Sequence, residues 1–281
     1  MKMTDYTATR SLIEENIFLT DGGPDGTKKI SATDAFLSML HLVSPENHRR
    51  VFRGKNLGST VTNAQLAAIQ AGTFEDLWLG DYWEINDVKW RIVDFDYFYS
   101  KGDSADGYYT DHKRHHLVIM PDTAIETRAM DTSGKATAGY NACTYRSNYK
   151  DNNVKPIVVE AFGNLMYPHR EFISSAVANG YPTNGTWTWC DVELPNEIMM
   201  YGCCIFTSMN TGSNNPQLFT ANYTQLALFE VAPKYIISPG VNQWLRDVVS
   251  DTQYAMILRS GNANRATASS TNGIRPYFLI G

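Results

Sequence analysis

The C-terminal stretch from Trp244 to Gly281 reads WLRDVVSDTQYAMILRSGNANRATASSTNGIRPYFLIG, and it decides how the rest of the chain is interpreted. Its opening, Trp244 to Asp247, combines an aromatic ring, an apolar side chain and two opposite charges, which predicts a packed corner. Its end, Ile274 to Ile280, is an apolar and aromatic run of strand length. Arg275 within this run is expected to pair with a carboxylate or with carbonyls near the corner, and Asp247 is the first candidate partner of Arg275 or of Arg246. Small and polar residues fill most of the segment between the opening and the end. The pattern predicts a rigid frame on both sides of an adaptable surface.

Such a surface is typical of binding loops, in which Tyr supplies contact area and Ser, Gly and Asn supply adjustable hydrogen bonds. The alternative is an ordinary hairpin with solvated strands, which composition alone favours. Exposure of Tyr254, Met256 and Leu258 is expected to decide between the two, because only a recognition patch needs large apolar side chains facing out. Small residues, namely Ala255, Gly261, Ala263, Ala266 and Ala268, are expected to be spacers. The side chains predicted to form the ligand-binding surface are Gln253, Tyr254, Met256, Leu258, Arg259, Ser260, Asn262, Asn264, Arg265, Thr267, Ser269, Ser270 and Asn272.

The pattern WLRD, GNA and GIRPYFLI resembles the C-terminal end of C-type-lectin-like domains in phage structural proteins. In some of those domains the segment before the RP strand is diversified by retroelements. Two upstream runs, FRGKNLG at 52–58 and AGTFEDLWLGDYW at 71–83, resemble head-fibre or tail-fibre proteins of phages that infect gut Firmicutes. The resemblance implies an α+β, C-type-lectin-like domain whose first and last strands pair, with residues 80–93 beside 274–280.

The same resemblance implies a virion protein, assembled in the host cytoplasm, that binds a host cell-surface protein or glycan without cofactor or catalytic residues. Two alternatives stay open. One is a capsid decoration protein that has no receptor role. The other is an enzyme of the formylglycine-generating fold, suggested by the adjacent Cys203 and Cys204.

Composition limits the classes of function. Hydrophobic residues make up 43% and aromatic residues 12% of the 281 residues, which supports a large core. The net charge of −5 and the lack of a long basic run argue against non-specific nucleic-acid binding. No apolar stretch reaches the roughly 18 residues of a membrane span. The polar run after Met1 predicts no signal peptide.

Three segments are predicted. Residues 1–43 contain two strands, Asn16 to Thr20 and Thr27 to Ile30, around a turn, followed by a short helix from Ala35. This unit is too small to bury a core alone. The resemblance implies that it anchors the chain to capsid, collar or tail and supports a homo-oligomer, expected to be a trimer. The alternative is a small arm packed on the chain's own C-terminal domain.

Residues 44–75 form a predicted connector, with a helix from Ala64 to Ala71 that a capping box at Thr62 and Gln65 begins. Residues 76–281 form the predicted main domain. Its expected strands are 77–79, 82–85, 89–93 continuing to 99, 115–120 and 274–280, with a hairpin turn at Asn86-Asp87. Its expected helical pieces lie near 141–149, 154–162 and 195–202.

The cysteines, two tryptophans and a cluster of carboxylate and imidazole groups each have a functional and a structural interpretation. All four cysteines, Cys143, Cys190, Cys203 and Cys204, are interpreted as reduced, buried side chains. Trp187 and Trp189 share a strand face and could stack on sugars, but core packing is favoured. Carboxylate and imidazole groups cluster without an EF-hand pattern, so no metal site is predicted. This cluster comprises Asp94, Asp96, Asp103, Asp106, Asp111, His112, His115 and His116.

Overall fold

The computed structural model describes residues 17–20, 28–31, 45–103, 113–207 and 218–281, and the chain divides into two compact units, 1–47 and 48–281. In the first unit, strands β1 (Ile17–Thr20) and β2 (Lys28–Ser31) pair antiparallel, with Phe18 opposite Ile30. This confirms the predicted hairpin. The helix predicted from Ala35 lies outside the described residues.

The second unit is mixed α and β, with mostly sheet and a few short helices, which confirms the predicted class. The strands of this unit are β3 (Tyr82–Ile85), β4 (Val88–Phe95), β5 (Leu117–Pro121), β6 (Glu126–Arg128), β7 (Met166–Tyr167), β8 (His169–Ala178), β9 (Tyr181–Cys190), β10 (Val192–Glu193), β11 (Gln243–Val248), β12 (Gln253–Ile257), β13 (Ala263–Thr267), β14 (Asn272–Ile274) and β15 (Tyr277–Ile280). The α-helices are Asn63–Gln70, Lys155–Phe162, Glu197–Tyr201 and Ala227–Val231. A π-helix covers Tyr145–Val154, and short 3₁₀ helices cover Pro45–Arg49, Gly163–Leu165 and Pro233–Ile236.

The first large sheet has the order β10-β15-β5-β4-β3, and β7 also pairs with β15. The prediction that residues 80–93 lie directly beside 274–280 is therefore wrong, because β5 separates them. Ile119 of β5 is opposite Phe278 on one side and Ile92 on the other. All five residues of β5 are buried, which suits an interior position between two other strands.

The second large sheet has the order β13-β12-β11-β14-β6 and contains the C-terminal stretch. Strand β11 runs antiparallel to β12 but parallel to β14, with Gln243 opposite Gly273. Gly273 allows this close approach, because a Cβ there would lie 2.7 Å from the Cβ of Ala124 and 2.9 Å from the Asn242 carbonyl oxygen. A larger residue at this position would push β14 away from β11.

Strands β8 and β9 form a separate two-stranded hairpin of ten residues on each side. Its turn contains Asn179 and Gly180, both with positive φ, as a type I′ turn requires. The sequence predicts a strand only at Trp187 and Trp189 of this hairpin, although Asn-Gly is a strong local turn signal.

Several local predictions are confirmed. Thr62 and Gln65 form the capping box of the helix Asn63–Gln70. Asn86 and Asp87 both have positive φ between β3 and β4, as expected for a tight hairpin turn. In the core, the rings of Trp90 and Phe278 pack edge to face, with their centroids 5.6 Å apart.

Two strand boundaries differ from the prediction. Leu79 makes only an isolated bridge with Phe52, so 77–79 is not a regular strand. Strand β4 ends at Phe95, because Asp96 has a φ of 51° and turns the chain. In the described part of the chain, every helix is too short or too polar to cross a bilayer.

Candidate ligand-binding face

Trp244 forms the predicted corner. Its side chain is fully buried, its Nε1 donates a hydrogen bond to the Arg128 carbonyl at 2.7 Å, and its ring meets Tyr254 edge to face at 6.3 Å. The Tyr254 hydroxyl in turn donates to the Gly139 carbonyl at 3.0 Å. The prediction of a buried Trp244 is confirmed, and Tyr254 belongs to the same core.

Three residues predicted on the surface are therefore buried. Tyr254 is 0% exposed, and Met256 and Asn272 are each 7% exposed. Strand β12 lies between β11 and β13, and Met256 is opposite Trp244, so its large apolar side chains complete the core instead of facing solvent. Asn272 begins β14 and is buried with it. Leu258 is half-buried, so the expectation of three exposed apolar side chains is wrong.

The remaining predicted residues do reach the surface, and together they are called the hairpin face. Its exposed members are Arg259, Ser260, Asn262, Arg265, Thr267 and Ser269; its half-buried members are Gln253, Leu258, Asn264 and Ser270. Of the predicted spacers, Ala255 and Ala268 are fully buried beneath it. Ala263 and Ala266, like Gly261, are half-buried. The face is thus polar, and by the criterion of exposed large apolar side chains it matches an ordinary solvated hairpin. A binding role for it rests on its polar side chains alone.

The turn that joins β12 to β13 has a fixed backbone. The Leu258 N–H donates to the Asn262 carbonyl at 2.8 Å, and the Tyr201 hydroxyl donates to the Gly261 carbonyl at 2.9 Å. Gly261 has a φ of 88°, and a Cβ there would lie 3.0 Å from Ile237. The turn is held against residues outside the hairpin, while side chains on both sides of Gly261 point to solvent.

A cleft of about 300 Å³ borders the hairpin face. The sheet order brings its walls together, because the start of β11 lies between the end of β12 and the start of β14. Its lining residues are Thr127, Gly240, Val241, Asn242, Arg259, Thr271 and Asn272. The sequence missed Thr127, Gly240 and Asn242, since only strand pairing places them beside the C-terminal stretch.

Asn242 and Asn272 give this cleft its polar character. The side-chain oxygen of Asn242 accepts a hydrogen bond from the Arg259 backbone at 3.0 Å. Among the described residues, the buried Nδ2 of Asn272 has no hydrogen-bond partner. Leaving such a group unpaired costs about 1–3 kcal/mol.

Arg275 is buried and pairs with backbone carbonyls, one of the two arrangements that were predicted for it. It is 1% exposed, and it donates from Nε to the Pro121 carbonyl at 2.7 Å and from Nη1 to the Tyr235 carbonyl at 2.9 Å. Burial lowers the pKa of Arg275 to about 10. The pairing with carbonyls is confirmed, whereas Asp247 as its partner is wrong.

Asp247 is not the partner of Arg246 either. Arg246 Nη2 lies 3.0 Å from Glu171 Oε1, and the Tyr277 hydroxyl donates to the same oxygen at 3.0 Å. Asp247 instead accepts a hydrogen bond from the Glu197 backbone at 2.6 Å. Burial, and secondly the nearby Glu197, raise the pKa of Asp247 to about 7.

The cysteine prediction is confirmed for Cys143 and Cys190, which are free and buried. It is wrong for Cys203, which is exposed, and for Cys204, which is half-buried. Gly202 has a φ of 77° and ends the preceding helix, so the cysteines lie in a surface turn. Burial raises the pKa of Cys204 to about 12, the opposite of what a nucleophilic thiolate needs.

The candidate metal ligands are dispersed into separate ion pairs and hydrogen bonds. Asp94 binds Arg49, Asp96 lies 2.7 Å from His115 Nδ1, and Asp103 binds Arg170 at 2.8 Å. Within 45–103, 113–207 and 218–281, no three His, Cys, Asp or Glu side chains are grouped to hold a metal. Three of the candidates, Asp106, Asp111 and His112, lie outside the described residues.

The preference for core packing at the tryptophan pair is wrong for Trp189, which is 47% exposed. The Arg170 guanidinium lies 5.4 Å from its ring centroid. Trp187 is half-buried, 5.3 Å from the ring of Phe172. Trp187 and Trp189 lie on one face of the β8–β9 hairpin. The opposite face of that hairpin carries the buried Glu171 and faces the core, so the tryptophan face is turned outward.

Comparisons with models of known protein families, with curated proteins and with solved structures find no match for this chain. The chemistry of the site is therefore inferred from its own geometry. A fixed backbone carries polar side chains beside a cleft that contains one cation, Arg259. Such an arrangement suits recognition of a polar ligand.

Proposed function

We propose that this chain is a phage virion attachment protein that binds a host-surface ligand through the hairpin face. One observation carries the proposal: polar, exposed side chains stand on a backbone that buried contacts hold in place. Trp244, Tyr254 and Arg275 form that support. Preorganised backbone with adaptable side chains lowers the entropic cost of binding. The resemblance of the C-terminal stretch to retroelement-diversified domains favours the same residues.

A C-type-lectin-like fold is part of the proposal. It is supported by a last strand that enters the same sheet as the first hairpin of the main domain, β3 and β4. A helix follows β5 and β6, and loops and short elements fill much of the remainder. In one respect the sheet differs from the expected fold: β5 lies between β4 and β15, which the resemblance implied would pair directly.

Residues 1–43 are proposed to anchor the chain to other virion proteins and to support a trimer. The β1 and β2 hairpin has only four residues in each strand, and an isolated pair of this size is marginal in water. Sedimentation of the full-length chain tests this part. A stable monomer at micromolar concentration would contradict it.

The attachment proposal is tested by replacing the exposed members of the hairpin face together with alanine. The residues changed are Arg259, Ser260, Asn262, Arg265, Thr267 and Ser269. The melting temperature should stay within a few degrees, because surface changes usually cost under about 0.5 kcal/mol each. Binding of the purified chain to cells of a susceptible host strain should be lost.

A matched control replaces exposed polar residues outside the face, Glu75, Asn153 and Glu160, and should bind like the unchanged chain. Retention of binding by the hairpin-face variant would refute the proposal. So would a failure of that variant to fold, because its side chains would then be structural.

A further inference from the structure

The cleft beside the hairpin face contains one charged side chain, and that charge is positive. Arg259 is exposed, and among the residues that the structure describes it takes part in no ion pair. Its backbone N–H donates a hydrogen bond to the side-chain oxygen of Asn242. The guanidinium therefore keeps its five N–H donors for a ligand. No acidic residue belongs to the lining to compete with an anion.

The rest of the lining is suited to hydroxyl groups. Thr127 and Thr271 are exposed and carry side chains that both donate and accept hydrogen bonds. Asn272 also belongs to the lining and adds a polar amide, although its side chain is largely buried. Hydroxyl and amide groups next to a guanidinium match a ligand that carries several hydroxyls and one anionic group.

The size of the cleft limits the ligand. Small-molecule sites typically span roughly 300–1,000 Å³, so a cleft of about 300 Å³ holds one compact unit. Its polar walls give little apolar area for an aliphatic or aromatic ligand. A single sugar ring at the end of a glycan fits both the volume and the lining.

We propose that this cleft binds a carboxylated sugar residue of a host-surface glycan, with the carboxylate on Arg259. The planar guanidinium and a carboxylate form two parallel hydrogen bonds, which also orients the ring. The sugar hydroxyls then meet the exposed Thr127 and Thr271. This inference rests on the proposed function and narrows its ligand from a protein or glycan to an acidic glycan.

The test is a titration of the full-length chain with D-glucuronate, D-glucose, acetate and inorganic phosphate, followed by calorimetry or ligand-observed NMR. Glucuronate should bind at least tenfold more tightly than each of the other three. Arg259→Gln should remove this advantage, and Arg259→Lys should restore only part of it, because an ammonium lacks the planar fork. Arg50→Gln is the matched control, since Arg50 is also exposed but lies outside the face; its affinity should stay within twofold.

Equal binding of glucuronate and glucose, or an unchanged affinity in Arg259→Gln, would overturn the inference. Acetate or phosphate binding as tightly as glucuronate would overturn the assignment to a sugar. The attachment proposal is judged separately by the cell-binding assay. If glucuronate fails to bind but the hairpin-face variant still loses cell binding, only the acidic-glycan inference is wrong.

Discussion

Replacing Trp244 with alanine tests whether the hairpin face stands on a rigid frame. The change removes a fully buried indole and its 2.7 Å hydrogen bond to the Arg128 carbonyl. Tyr254 also loses its edge-to-face neighbour. Large-to-small changes of this kind cost about 3–5 kcal/mol. For a unit of this size that corresponds to a fall in melting temperature of roughly 6–20 °C.

A graded series separates packing from hydrogen bonding. Trp244→Phe keeps most of the apolar contact but loses the donor, so it should cost about 1–2 kcal/mol. Trp189→Ala is the matched control, because that ring is 47% exposed, and it should cost about 1 kcal/mol or less.

Urea unfolding followed by circular dichroism and tryptophan fluorescence measures all three variants. The expected order of destabilisation is Trp244→Ala, then Trp244→Phe, then Trp189→Ala. A loss below about 1 kcal/mol in Trp244→Ala would refute the rigid frame, because a well-packed indole cannot be removed at so small a cost.

Three further outcomes are expected. Glu171→Ala should destabilise the chain by about 3–5 kcal/mol in the same urea assay, because it leaves the buried Arg246 without its carboxylate. Asp247 binds a proton more tightly in the folded than in the unfolded chain. Its contribution to the free energy of unfolding therefore falls as pH rises from about 4 to 7, by at most about 1.4 kcal/mol per pH unit. Asp247→Asn should gain stability relative to the unchanged chain across that window. Gly273→Ala should cost about 1–3 kcal/mol through overpacking against Ala124, whereas Ser260→Ala should change the melting temperature little.

The sequence predicts local structure well where a short signal has a single structural solution. The capping box at Thr62 and the Asn86-Asp87 turn are such cases. The turn depends on positive φ angles that few residues adopt, and the capping box depends on side chains that bond backbone N–H groups at the start of the helix. The buried Trp244 and the carbonyl partners of Arg275 follow because a large ring or a cation within an apolar run must be buried or paired.

Tertiary arrangement is what the sequence could not provide. The apolar β5 fits any interior position, so nothing local shows that it separates β4 from β15. Tyr254 and Met256 read as exposed because the segment around them is polar, but β12 has a strand on each side and packs on Trp244. The partner of Arg246 is Glu171, which lies far away in the chain and which no spacing rule indicates.

Amide hydrogen exchange of the full-length chain, with and without cell envelopes of a susceptible host, tests the central claim most directly. Binding through the hairpin face should slow exchange within residues 258–272 and leave the β8 and β9 hairpin unchanged. Envelope binding that protects residues 169–190 instead, or that leaves 258–272 unprotected, would contradict the claim that the C-terminal hairpin contacts the host.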